Sequence, residues 1–180
     1  MSKKIIEKHS KSADSLKYSG DISLKILDGD RVLSEQKYHN HGCQKLFNFI
    51  TDCLTGNFAA AKSSRPCRIV LFEMGSHEEK GVFNARYWND DTKVSTKVFY
   101  DSAVVPGSSN SSTITYHFRI PFLCLVSGAQ VAKVGLYPDV ITSLSNDICA
   151  YYYLDTPFEV PDHGGNFTVV IDWKLTIQNA

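Results

Sequence analysis

From Gly20 almost to its last residue the chain repeats one pattern: short apolar–polar alternations, each closed by a cluster of Gly, Pro, Ser, Asp or Asn. A period of two sends successive side chains to opposite faces, so each run predicts a half-buried strand and not a helix. Ile22, Leu24 and Ile26 alternate with Ser23, Lys25 and Leu27; Asp28-Gly29-Asp30 then supplies a tight hairpin turn, and residues 31–38 return as the second strand. Residues 67–72 read as a largely buried strand, 93–105 as an alternating one, and 113–126 as another, in which Pro121 calls for an edge position or a bulge. Two further strands are predicted at 131–137 and 148–154, the latter with Tyr151 and Tyr153 on one face and Tyr152 on the other. Residues 167–177 close the chain with Val169, Ile171, Trp173 and Leu175, or their neighbours, facing in. Many short strands joined by turns predict an antiparallel β-sandwich, jelly-roll-like in type.

One segment breaks the pattern. Cys43, Leu46, Phe47, Ile50, Cys53 and Leu54 fall at intervals of three and four, an apolar stripe on one face of a helix, and Gly56 stands where a left-handed C-cap belongs. This predicts a single short helix of about three turns packed on a sheet. Residues 59–64 read as a small-residue loop. Residues 73–92 read as a long polar excursion of the sort that often carries interaction surface.

A chain of 180 residues can bury a core of its own without metal or disulfide staples. Its first 20 residues differ from the rest: Lys3, Lys4, Lys8, Lys11 and Lys17 face only Glu7 and Asp14, with too few apolar side chains to anchor the stretch. They predict a flexible or partner-docked basic arm, with 21–180 as the sandwich domain. Over the whole chain 19 basic residues balance 19 acidic ones. That balance counts against a general nucleic-acid binder and against a polybasic membrane-surface protein. It also averages a basic arm over a mildly acidic body, which gives neighbouring copies complementary surfaces. No apolar run approaches the ~20 residues of a membrane span. Five cysteines, odd in number and irregularly spaced, read as free thiols of a protein folded in a reducing compartment.

The chemistry-bearing motifs are few. His39-Asn40-His41-Gly42-Cys43 is the strongest metal candidate, yet zinc needs three or four ligands and no second cluster with ligand spacing follows. The sequence contains no Gly-x-Ser-x-Gly elbow and no Gly-rich phosphate loop ahead of a helix. His117 reads as a satisfied mid-strand residue and His163 as a turn residue. Glu73, Glu78, Glu79, Asp90 and Asp91 offer carboxylates for glycoside chemistry, but such runs are more commonly a solvated loop. Neither a catalytic site nor a cofactor is predicted. Tyr87 and Trp88, in the polar stretch 84–92, are candidate contacts for a sugar or a protein partner, whereas Trp173 reads as core.

Tyr38-His39-Asn40-His41-Gly42, then Leu46-Phe47-Asn48-Phe49-Ile50, Cys53-Leu54-Thr55-Gly56 and Arg65-Pro66-Cys67-Arg68-Ile69, resembles the hairpin, "N-x-G" turn, short helix and "R-P-x-x-I" strand of small virion proteins of tailed bacteriophages. Val131-Ala132-Lys133-Val134-Gly135-Leu136-Tyr137 resembles a "G-L-Y/F" strand of phage tail and neck proteins, and Phe167 to Asn179 resembles their closing strand with its central Trp. His41 stands where small residues are more usual. The resemblance implies a non-enzymatic structural subunit of a virion (ring, collar, tail or head decoration), assembled in the host cytoplasm and bound to itself and to other virion proteins. On that reading the arm residues Lys3, Lys4, Ile5, Ile6 and Lys8, with Tyr87 and Trp88, are the partner-contact candidates. The alternative is a carbohydrate- or receptor-binding sandwich that meets a host-surface glycan through residues 84–92.

Overall fold

The computed structural model describes residues 16–74, 81–82, 99–101, 111–138, 141–161 and 166–179. Its strands, in chain order, are β1 (Leu16–Asp28), β2 (Arg31–His39), β3 (His41–Gly42), β4 (Pro66–Glu73), β5 (Phe99–Asp101), β6 (Ser111–Pro121), β7 (Gln130–Pro138), β8 (Ala150–Glu159) and β9 (Phe167–Asn179). They form a five-stranded sheet in the order β2-β1-β9-β6-β5 and a four-stranded sheet in the order β3-β8-β7-β4. Every pairing is antiparallel. The expected β-sandwich is therefore what forms. The pairings nest, β1 with β9, β3 with β8, β4 with β7 and β5 with β6, as when one long hairpin is folded over on itself. That nesting is the jelly-roll-like feature, and β2 adds an edge to it.

The alternation of the strands builds the core directly. Ile22 lies opposite Trp173, which lies opposite Tyr116; one step along, Leu24, Ile171 and Phe118 form the same row. All six are buried and face Ile69, Leu71, Val134 and Leu136 of the smaller sheet in one cluster. Pro121 ends β6 opposite Thr168. On its other side β5 reaches only Thr115–His117, so the proline takes nothing from a ladder there.

Strands β4 and β7 of the smaller sheet are buried on both faces, which explains why they read as nearly continuous apolar runs. On its outer face Val70, Phe72, Tyr137 and Ile148 form a second cluster, covered by Ile141 and Leu144. The Tyr137 hydroxyl donates to the Leu144 carbonyl at 2.6 Å, tying the covering loop to the sheet. Lys133 is also buried on this face, its ammonium 4.8, 5.0 and 5.3 Å from the ring centres of Phe72, Tyr151 and Tyr153. Three ring faces supply the negative potential that offsets part of its lost hydration.

Helix α1 (Gln44–Leu54) forms where the stripe predicts it, seats Leu46 in the main core, and is followed by Gly56 at φ +76°. Ahead of it His41 and Gly42 pair with Tyr151 and Ala150, and Cys43 is the N-cap. A second helix, α2 (Phe58–Ser64), replaces the loop expected at 59–64. Ala59, Ala60 and Ala61 are the strongest helix formers, and the Ser63 and Ser64 hydroxyls bond back to the Ala60 carbonyl at the helix end.

The boundary of the arm also moves. β1 begins at Leu16, so the last five residues of the stretch read as arm are sheet, paired with Leu175 to Asn179. Residues 1–15, with Lys3, Lys4, Ile5, Ile6 and Lys8, lie outside the described residues. Tyr18 is what ties the start of β1 down. Its hydroxyl and the Asn40 side-chain amide are in hydrogen-bond contact at 2.8 and 3.1 Å, and burial pushes its phenol up to about 12. The Asn40 amide in turn lies over Gly20, where any Cβ would collide with it. Gly20→Ala is therefore expected to evict Asn40 and cost about 1–2 kcal/mol. A thermal melt measures the loss, and Asn40→Gly in the same chain should restore part of it. A single variant that melts like the parent would contradict this interlock.

Candidate functional site

The outer face of the five-stranded sheet carries the polar half of each alternation. The register sets two rows side by side: His39, Asp21, Lys174 and Thr115 in one, Lys37, Ser23, Asp172 and His117 in the next. Nδ1 of His39 lies 2.6 Å from Oδ1 of Asp21, and Nδ1 of His117 lies 2.6 Å from Oδ1 of Asp172. An ionised carboxylate only accepts, so each Nδ1 carries the proton and each ring turns Nε2 away from its carboxylate. The two His–Asp pairs sit on four different strands, and a local two-fold axis between β1 and β9 exchanges them.

Beside the His39–Asp21 pair lies a cleft of about 350 Å³, lined by Asp21, Ser23, Lys37, His39, Thr115, Asp172 and Lys174 and by the apolar Ile22 and Tyr38; His117 is not part of its lining. At its margin Glu35 accepts from Ser23 at 3.3 Å and pairs with Lys37 at 3.5 Å and Lys25 at 3.8 Å. Desolvation alone raises the Glu35 carboxyl, but Lys25 and Lys37 outweigh it and hold it below the usual range. Lys174 is exposed and has no ion pair among the described residues. The face therefore offers an ammonium, two oriented imidazoles, two carboxylates with lone pairs left over, and the Thr115 hydroxyl.

A second surface feature stands on the helices. Phe58 is 72% exposed, Leu54 69% and Phe47 44%, and Cys53 is exposed as well. A helical hairpin that turns two phenylalanines and a leucine to solvent is an apolar patch of the type that marks contact surfaces.

The motif residues behave differently from one another. His39 joins Asp21 on the sheet, whereas His41 lies against the rings of Tyr151 and Tyr152, 5.6 and 6.4 Å between centres. No three His, Cys, Asp or Glu side chains gather for a metal among the described residues. His117 is half-exposed and satisfied by Asp172. Trp173 is fully buried, as its strand context implied. Tyr87, Trp88, Glu78, Glu79, Asp90, Asp91 and His163 lie outside the described residues. Cys43 and Cys149 are neighbours, the Cys43 N–H donating to the Cys149 carbonyl at 2.8 Å. Cys43 packs on the outer cluster and Cys149 in the inner core. Burial pushes the Cys149 thiol up to about 12, which keeps it protonated and unreactive.

The residues that sequence reasoning missed are Asp21, Asp172 and Lys174. Their only signal is that they occupy the polar phase of β1 and β9, and alternation does not say which strands are neighbours. No helix among the described residues is long and apolar enough to cross a membrane. Comparisons with protein families, with curated proteins and with solved structures find no match for this chain.

Proposed function

We propose that this chain is a non-enzymatic structural subunit of a tailed-phage particle, working through contacts with its own copies and with other virion proteins. The observation that supports this reading is the exposed apolar hairpin of α1 and α2, with Phe47, Leu54 and Phe58 turned to solvent. An isolated monomer gains nothing from leaving such side chains in water, whereas a neighbouring subunit that covers them recovers roughly 1.5–3 kcal/mol for each. The resemblance in residues 38–50, 65–69, 131–137 and 167–179 supplies the class of particle.

Sedimentation of the full chain across a wide concentration range tests it. The parent is expected to form a defined oligomer, or to co-purify with particles. Leu54→Ser with Phe58→Ser is expected to shift the population to monomer without lowering the melting temperature, since neither side chain contributes to the core. A chain that stays strictly monomeric at high concentration and never co-purifies with particles overturns the reading.

A further inference from the structure

We infer that the cleft on the outer face of the five-stranded sheet binds an acidic saccharide, its carboxylate on Lys174 and its hydroxyls on Asp21, Asp172 and Thr115. The site lies on another element from the helical hairpin, so this inference does not rest on the assembly reading. At about 350 Å³ the cleft falls within the size range of small-ligand sites. Asp21 stands opposite Lys174, and Ser23 opposite Asp172. Cross-strand partners are about 5 Å apart and same-face neighbours along a strand about 7 Å, so the four polar groups frame the footprint of a single sugar ring.

The chemistry selects the ligand class. Each carboxylate accepts one hydrogen bond from its histidine and keeps lone pairs for the hydroxyls of a polyol. Of the two imidazoles, that of His39, held by Asp21, lines the cleft. Lys174, without an ion pair among the described residues, awaits an anion, and Lys37 adds a second ammonium at the rim. A bare inorganic anion satisfies the lysine but meets two carboxylates. A neutral sugar satisfies the carboxylates and leaves the ammonium unused, while a divalent cation is repelled by Lys174 at the centre. A hydroxylated ring bearing one carboxylate satisfies every group.

The test is an amide-resolved NMR titration of the full chain with N-acetylneuraminate and with glucuronate, using glucose and inorganic phosphate as comparators. At least one acidic sugar should give saturable shifts at residues 21–23, 115 and 172–174, with the comparators weaker by about tenfold. Lys174→Gln should lose about tenfold in affinity, and Lys174→Arg should retain most of it; both are surface changes, and unchanged melts verify their folding. No saturable shift with either acidic sugar overturns the inference. Equal binding of phosphate overturns it in favour of a simple anion patch, and equal binding of glucose removes the role given to Lys174.

Discussion

Trp173→Ala is expected to cost about 3–5 kcal/mol, the largest effect of any single side chain among the described residues. Trp173 is the bulkiest of the fully buried residues and lies mid-strand in β9, between Ile22 of β1 and Tyr116 of β6. Both neighbouring strands are held at this point by backbone ladders, so they cannot collapse far into the space the indole leaves. A domain of this size is stable by only about 5–15 kcal/mol, and the loss takes a large share of it. One detail separates the indole's volume from its polarity. Its N–H finds no acceptor among the described residues. Trp173→Phe therefore removes an unpaired buried donor while keeping a ring, and is expected to cost well under half as much as alanine. Urea unfolding followed by circular dichroism measures both variants. An alanine variant that loses less than about 1 kcal/mol would show that this row is not the centre of the core.

Asp147→Ala is expected to follow, at about 2–3 kcal/mol. Its carboxylate is buried and gathers four donors: Thr142 N–H and hydroxyl at 2.7 Å each, Ser143 N–H at 2.9 Å, and the Lys45 ammonium at 3.2 Å. These bonds close the loop that covers Tyr137 and Ile148, and Lys45 ties that loop to α1. Alanine leaves two backbone donors and an ammonium facing nothing; the partial exposure of Lys45 keeps the cost below that of a fully buried pair. Burial alone would raise this carboxyl, but the bonds from Thr142, Ser143 and Lys45 outweigh it and hold it well below the usual carboxylate range. The sign follows from that direction. A depressed folded pKa adds stability that is present above the unfolded value, about 3.9, and is lost as the pH falls through the folded one. The stability gap between the parent and Asp147→Asn should be constant near neutrality and narrow below about pH 4. Urea midpoints from neutral to acid pH check it, and a gap that holds its full width in acid would contradict the latch.

Much of the fold is legible where one local rule acts alone. Gly29, at φ +58°, makes the β1–β2 turn that Asp28-Gly29-Asp30 implies, and Gly56 follows α1 as the stripe requires. At 59–64 the three alanines favour a helix, but Ser63 and Ser64 suit a loop as well, and their bonds to the Ala60 carbonyl form only once α2 is made. The start of β1 is not legible locally, because Tyr18 is one aromatic in a Lys- and Ser-rich stretch. Its anchor, Asn40, is 22 positions away.

By itself the sequence determined the class of fold and its inward-facing residues, because a period of two sorts side chains between core and solvent before any partner is chosen. It also marked Trp173 as core and the single amphipathic helix stripe. Only the tertiary structure decided which strands lie together, and with that which polar residues meet. Asp21 reaches His39 across the β1–β2 hairpin, but Asp172 reaches His117 only because β9 returns beside β6 across 55 residues of chain. The same return sets Lys174 between Asp21 and Thr115, and the closing of the 141–147 loop sets Asp147 against Lys45 across 102 residues. The chain that separates such partners carries no local trace of their meeting, since long-range register is an outcome of packing the whole core.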